Sequence, residues 1–264
     1  MIAEFEGRRL RIGKLHVDPL TLAGAVDAIE SLVLAGRGGV VVTPNVDHVV
    51  LAEQHEQFRQ AYAAADLSLA DGKPIIWASH LLRRPLPEKV SGSDLVIPLL
   101  DRAASRGWRV YLLGGGPGVA DAAGERLVRE RGVEIVGTAA PMLAAVEAGR
   151  VDPAGEHAAD TVSTARPQLV LVAFGAPKQE VWMHRHRSAL APAILVGVGA
   201  SLDFLAGRVR RAPRWMSDSG LEWLWRLALE PRRLWRRYLL EDPRFIRILI
   251  RTLRDSQPLG GDRS

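Results

Sequence analysis

Cysteine is absent from the 264 residues, so this chain has neither a disulfide framework nor thiol chemistry. Aromatic residues make up 6% of it, with three tyrosines, and against that background seven tryptophans stand out. No run reaches the roughly 18 uncharged apolar residues that a membrane-spanning helix needs. The opening stretch, Met1 to Glu6, is acidic and carries no apolar h-region, so no signal peptide is expected and the protein is read as cytoplasmic. No Asp-x-Asp occurs, which removes the obvious carboxylate site for Mg2+ on a diphosphate. His184 and His186 stand two apart and face different sides of a helix, unlike the i, i+4 spacing of a zinc pair. No internal repeat or low-complexity segment is visible.

What is present suffices for one large domain, or one domain with an appendage. The stretch from Leu169 to Trp182, LVLVAFGAPKQEVW, organises the reading. Its apolar run, Leu169 to Ala173, has the form of a strand buried on both faces of a parallel sheet. Phe174 to Pro177 then turns the chain, and Lys178 opens a helix. Other short apolar strands are read at Val40–Val42, Leu67–Ala70, Arg109–Leu113, Val133–Val136 and Ala193–Val198, each followed by a turn and most by a helical pattern. Leu10 to Val17 alternates apolar and charged residues as one exposed or edge strand. One helix is read after Thr43-Pro44-Asn45, running to about Ala64. The alternation predicts an α/β fold: a Rossmann-like parallel sheet with helices on both faces. After Gly207 the strand signals stop. Between Arg208 and Arg254 thirteen arginines meet five acids, an excess of +8 that leaves the rest of the chain at about −3 of the overall +5. Trp215, Trp223, Trp225 and Trp235 fall in this region, and Pro213, Pro231 and Pro243 divide it into short helices. Residues 1–207 are therefore read as an α/β catalytic domain and 208–264 as a basic, Trp- and Arg-rich helical appendage.

The ends of buried parallel strands are where such sheets bind ligands. Lys178, Gln179 and Glu180 set a cation, an amide and a carboxylate at a helix start that suits phosphate, so a nucleotide-type ligand is expected there. Asp71 ends another strand, as a general base or as part of an Asp-Gly turn. Thr43 and Asn45 end a third, to hold a substrate hydroxyl or to cap the next helix. Gly114 to Gly118 forms a turn that can approach a diphosphate closely. It fails the dinucleotide fingerprint, because Val119 stands at the third glycine position and no acid ends the next strand, so a dehydrogenase is disfavoured. Asp203 can accept from the imide N–H of a uracil ring, or serve a helix start. The basic carboxyl end also admits a non-enzymatic nucleic-acid binder, although its cations follow helices with apolar faces.

Taken together, these residues resemble the WecG/TagA/CpsF glycosyltransferases. The resemblance rests on T-P-N at 43–45, A-D-L at 65–67, A-D-G at 70–72, S-G-S-D-L at 91–95, L-L-G-G at 112–115, F-G-A-P-K-Q-E at 174–180 and G-V-G-A-S-L-D at 197–203. R-A-P at 211–213 and G-L-E-W-L-W-R-L with E-P-R-R at 220–233 extend it over nearly the whole chain. It implies an inverting, metal-independent enzyme with no cofactor. Such an enzyme moves an N-acetylmannosamine-type, mannosaminuronic acid or glucose-type sugar from a UDP-sugar to a polyprenyl-diphosphate-linked saccharide. It would work on the inner face of the cytoplasmic membrane, building teichoic acid linkage units, common antigen or exopolysaccharide. By motif, Asp71 becomes the base on the acceptor hydroxyl, with Thr43 and Asn45 beside it. Gly114, Gly115, Gly175, Pro177, Lys178 and Gln179 line the donor pocket, and Asp203 reads uracil. Arg226, Arg233 and Arg236 neutralise the leaving diphosphate. The expected partners are the donor, the lipid-linked acceptor and an anionic membrane surface met by the carboxyl-terminal helices. Nucleic acid is not among them, and a homo-oligomer is left open. Two departures bear on the sugar: Val46-Asp47-His48 follows T-P-N where many members continue Pro-Glu, and Lys89 stands where the family often has Arg.

Overall fold

The structure, a computed structural model, describes residues 9–146, 152–209, 212–236, 239 and 242–256, without the side chains of Arg214, Asp218, Arg226 and Arg233. An antiparallel hairpin, β1 (Leu10–Ile12) and β2 (Leu15–Val17), leads into α1 (Leu22–Ala35). The alternation that reads as one strand is thus two, folded at Gly13-Lys14, where Gly13 takes a positive φ. Next come β3 (Gly39–Val42), α2 (Val46–Gln54), α3 (Glu56–Ala63), β4 (Leu67–Ser68), α4 (Lys73–Leu81) and α5 (Gly92–Arg106). The single helix expected after Asn45 to about Ala64 breaks at His55, whose extended backbone ends α2 and starts α3. The chain continues through β5 (Arg109–Gly114), α6 (Val119–Arg131), β6 (Glu134–Ala139), α7 (Pro153–Ala165), β7 (Leu169–Ala173), α8 (Lys178–His186), β8 (Ile194–Gly197) and α9 (Ser201–Leu205). Four helices close it: α10 (Arg214–Asp218), α11 (Glu222–Leu229), α12 (Pro231–Arg236) and α13 (Arg244–Ser256).

Six strands form one all-parallel sheet in the order β4-β3-β8-β7-β5-β6. Every residue of β3, β7 and β8 is buried, as strands covered on both faces must be. Because strand side chains alternate, one face takes Val40, Val42, Val170, Val172 and Leu195, and the other takes Val41, Leu169, Leu171, Ile194 and Val196. The first face is covered by the hairpin, α2, α3, α4, α7, α8 and α13, and the second by α1, α5, α6 and α9. The hairpin is anchored through Asp18: Arg9 Nε donates to its carboxylate at 2.7 Å, and Ser68 N of β4 does so at 2.7 Å.

The last helix returns to this unit. Phe245 and Ile248 are buried in the first core, with Leu249 and Leu253 packed beside them. Gly13 N donates to Thr252 Oγ1 at 2.9 Å, and Arg251 pairs with Glu53 of α2 at 2.5 Å. Burying two large apolar side chains stabilises this docking by about 1.5–3 kcal/mol each. Those four side chains of α13 are thereby spent on the core, whereas Ile246 and Ile250 of the same helix stay exposed and α10 to α12 carry Trp215, Leu229 and Trp235 exposed.

Candidate active site

The strand order reverses direction in the middle of the sheet. The chain runs from β3 out to β4, crosses over to β5 and β6, and fills the gap with β7 and β8. At such a switch point the loops leaving the carboxyl ends diverge and open a crevice. Here it is a cleft of about 820 Å3 to which the carboxyl ends of all six strands contribute. Thr43 and Asn45 come from β3, Asp71 from β4 and Gly115 to Pro117 from β5. Residues 140–143 follow β6, residues 173–179 follow β7, and residues 198–203 follow β8.

Local sequence fixes each wall. Asn45 caps α2, its Oδ1 accepting from His48 N at 3.1 Å, so the capping reading holds for it while it also lines the cleft. Thr43 is buried, and its Oγ1 donates to Gly197 O at 3.4 Å, tying β3 to β8. Asp71 N donates to Pro44 O at 2.9 Å, and Val90 N to Ala70 O at 2.7 Å, so its backbone is held from both sides while its side chain stays half-buried. Ser91 caps α5: its Oγ accepts from Asp94 N at 3.1 Å and donates to Asp94 Oδ2 at 2.6 Å, and Ser93 then faces the cleft. Lys89, at the position of the departure noted above, pairs with Asp94 at 2.8 Å and donates to Ser217 Oγ of α10 at 3.1 Å.

The glycine turn after β5 is tight because it must be. A Cβ on Gly114 would lie 2.6 Å from the Ala173 carbonyl, and its φ of 109° suits only glycine. Gly115 lines the cleft; Gly114, one residue earlier and buried in the strand, does not. The guanidinium of Arg208 lies over this turn, 3.1 Å from where a Gly118 Cβ would be. Sequence reasoning counted Arg208 only within the basic region and missed its place against the glycine turn. Its signal was its place, five residues after Asp203.

Gly175, Pro177, Lys178, Gln179 and Asp203 all line the cleft. Lys178 Nζ donates to Leu143 O at 2.6 Å and so bridges the end of β7 to the segment after β6. Gln179 is 2% exposed, and both ends of its amide are engaged: Oε1 accepts from Gly199 N at 3.1 Å, and Nε2 donates to Glu180 Oε1 at 2.9 Å. That Nε2 would sit 2.4 Å from a Cβ on Gly197, so only glycine at 197 lets the amide cross the end of β8. Glu180 is fully buried, and its Oε2 has no hydrogen-bond partner among the described residues. Burial pushes its carboxyl up to about 7, with hydrogen bonds from its own backbone and Gln179 pulling back and the Asp47 carboxylate adding to the rise. Tyr62 and His48 share a buried 2.6 Å hydrogen bond. The Tyr62 hydroxyl is raised well above its ordinary range by burial, then by Glu180, Asp71 and Asp47. Sequence reading set Glu180 beside Lys178 and Gln179 at the expected nucleotide site without its burial, and did not select His48 or Tyr62, because burial of a polar group is a tertiary fact.

The carboxyl-terminal helices meet the cleft at Leu234 of α12, which is buried and lines it. Arg236 is exposed on the same helix and is not part of the cleft wall. The side chains of Arg226 and Arg233 lie outside the described residues. Among the described residues, no three His, Asp or Glu side chains are grouped to hold a metal ion.

A family model described as "Glycosyl transferase WecG/TagA/CpsF family" matches residues 10–258. A curated relative from Bacillus spizizenii is 32% identical over 247 residues, covering 93% of this chain and 92% of the relative. Its name is N-acetylglucosaminyldiphosphoundecaprenol N-acetyl-beta-D-mannosaminyltransferase.

Proposed function

The chain belongs to the WecG/TagA/CpsF family of glycosyltransferases, and from that premise we propose that it moves a sugar from a UDP-sugar to a polyprenyl-diphosphate-linked saccharide, inverting the anomeric carbon without a metal ion. The observation that carries this is the single cleft in which Asp71 shares a wall with the glycine turn, the start of α8 and Asp203. Asp203 accepts from the uracil imide. Backbone N–H groups of the glycine turn, with Arg208 above them, meet the diphosphate. An acceptor hydroxyl gives its proton to Asp71 as its oxygen bonds to the anomeric carbon. The anomeric C–O bond to the β-phosphate breaks, and the electron pair leaves with UDP. The leaving charge is met by N–H dipoles and arginines, including those of α11 and α12, rather than by Mg2+. A panel of UDP-sugars with a synthetic polyprenyl-diphosphate saccharide, read by product mass, tests the reaction. Transfer is expected to persist in excess EDTA, and activity lost on chelation and restored by Mg2+ or Mn2+ would overturn the arginine mechanism.

The acceptor is a lipid, so the enzyme works at a membrane surface. Among the described residues, no helix is long and apolar enough to cross one. Of the thirteen exposed large hydrophobic residues among those described, eight lie between Trp215 and Ile250, and Trp77 and Leu81 of α4 add two more. The Trp77 ring lies against Gly220, which joins α4 to the turn before α11 in one surface. Exposed tryptophan beside arginine suits a membrane interface, with anionic lipid adding about 1 kcal/mol per cation near the surface. Each large side chain contributes about 1.5–3 kcal/mol when buried. Replacing Trp215, Trp235 and Leu239 together by Ser is therefore expected to weaken sedimentation with anionic liposomes by roughly tenfold or more. Unchanged sedimentation would remove this surface from the membrane contact.

A further inference from the structure

Gln179 lines the cleft but has little surface to offer a ligand. It is 2% exposed, and both ends of its amide are engaged. A backbone N–H can only donate and a carboxylate oxygen accepts, so these partners fix which way the amide faces. Its Oε1 meets Gly199 N at 3.1 Å and its Nε2 meets Glu180 Oε1 at 2.9 Å. The amide thus joins a carboxyl group buried on α8 to the backbone of the loop after β8.

The two ends of this bridge differ in firmness. Glu180 stands on a helix held by its neighbours: Trp182 Nε1 donates to Gly155 O of α7 at 2.9 Å, and Met183 is buried in the first core. Gly199, at a φ of 53°, turns the chain into the five-residue α9. That loop brings Gly199, Ala200, Ser201 and Asp203 to the cleft wall. It leads on to Arg208, whose N donates to Asp203 O at 3.0 Å. On the other face of the sheet α5 packs closely on the loop, since a Cβ on Gly92 would lie 3.0 Å from Val198 O. From the α8 side the Gln179 amide reaches the loop across Gly197, where a Cβ would lie 2.4 Å from Nε2. A loop already held in its bound position need not be ordered when a ligand arrives, so such support is read as affinity.

Resting on the UDP-sugar reading of the cleft, we propose that Glu180 is a positioning residue for donor binding. It acts through Gln179, whose amide braces the loop after β8 and so sets Asp203 in the cleft wall and Arg208 against the glycine turn.

The test uses the full chain, the UDP-sugar that supports transfer, and a water-soluble, short-prenyl analogue of the diphosphate-linked saccharide. UDP alone is the binding probe. Glu180→Leu removes the oxygen that takes the Nε2 hydrogen bond. It is expected to raise both the Kd for UDP and the donor KM roughly tenfold, the worth of one such bond. The KM for the lipid-linked saccharide, at saturating donor, is expected to stay within about twofold. Glu180→Gln, whose amide oxygen can still accept from Nε2, is expected to recover most of the loss. Gly197→Ala crowds the same amide from outside the cleft wall and is expected to raise the same two constants. Because both changes act on one amide, the double variant is expected to lose no more than about twofold beyond the worse single one. A variant that merely folds less well has a smaller active fraction, which lowers the maximal rate and leaves KM alone. If Glu180→Leu does not fold, Gly197→Ala decides. An unchanged Kd for UDP in a folded variant, or Glu180→Gln as weak as Glu180→Leu, overturns the brace and leaves the transferase reading standing. An unsubstituted protein that neither binds UDP nor transfers from any UDP-sugar overturns that reading and the brace with it.

Discussion

Asp71→Asn is expected to lower kcat by roughly 10²–10⁴-fold, the range for losing a general base, which corresponds to about 3–5 kcal/mol of transition-state stabilisation. The substitution keeps shape and removes only the basic oxygen. Its backbone ties, to Pro44 O from Asp71 N and to Ala70 O from Val90 N, do not involve the carboxylate. The adjacent Gly72, at a φ of 98°, still turns the chain into α4. In the reading proposed above the nucleotide is held by the glycine turn and Asp203 rather than by Asp71, so the Kd for UDP is expected to stay near that of the unsubstituted protein. Initial rates at saturating substrates and calorimetric titration of UDP separate the two effects. Near-normal turnover would reduce Asp71 to a turn residue. A parallel loss of UDP affinity would mean that the cleft itself had collapsed.

The framework around Asp71 was legible because it rests on local signals. LVLVA and ILVG are buried on both faces of the sheet, and a run with no polar break is the direct imprint of that burial. Thr21 and Asn45 cap α1 and α2 as their residue types suggest. The strand-end positions of Thr43, Asn45, Asp71, Gln179 and Asp203 follow from the same segmentation, and the structure brings all five to one cleft. The hairpin was read as one strand because Gly13-Lys14 interrupts the alternation for only two residues. The break between α2 and α3 carries no Gly or Pro; His55 simply adopts an extended backbone.

Other features have no local signal. The packing of α13 on β1 and α2 joins residues about two hundred or more positions apart, such as Arg251 with Glu53 and Gly13 with Thr252. A basic amphipathic helix at the end of a chain reads the same whether its apolar face meets a core or a lipid. A cavity of about 300 Å3 beside the cleft is assembled from residues 45–74 and 220–245, so it exists only once those segments meet. Glu180 is the sharpest case. A carboxylate in the first turn of a helix is ordinary in sequence, and only the fold shows it sealed beneath the cleft.

That burial makes stability depend on pH in a definite direction. The Glu180 carboxyl titrates near 7 in the folded protein and near 4.5 when exposed. Below about pH 4.5 it is protonated in both states and contributes no difference. As pH rises from 4.5 to 7 the unfolded chain ionises while the folded protein holds the proton, so stability falls by about 1.4 kcal/mol per unit. The loss reaches about 3 kcal/mol near pH 7 and levels off above it, where both states are ionised. Glu180→Gln removes this titration. Its amide oxygen can still accept from Gln179 Nε2, and its NH2 takes the place of the oxygen that has no hydrogen-bond partner among the described residues. A buried NH2 left unpaired costs about 1–3 kcal/mol, but equally at every pH. The test therefore lies in the slope: from pH 4.5 to 7.5 the variant is expected to gain about 3 kcal/mol relative to the unsubstituted protein. The charged and titratable groups around it, Asp47 and His48 on α2, Tyr62 on α3, Asp71 after β4, and Lys178 and His184 on its own helix, are common to both proteins. Urea unfolding of the two across that range gives the difference directly. Parallel stability curves would show that Glu180 ionises in the folded state as an exposed carboxylate does, and that the floor of the cleft is wetter than its packing indicates.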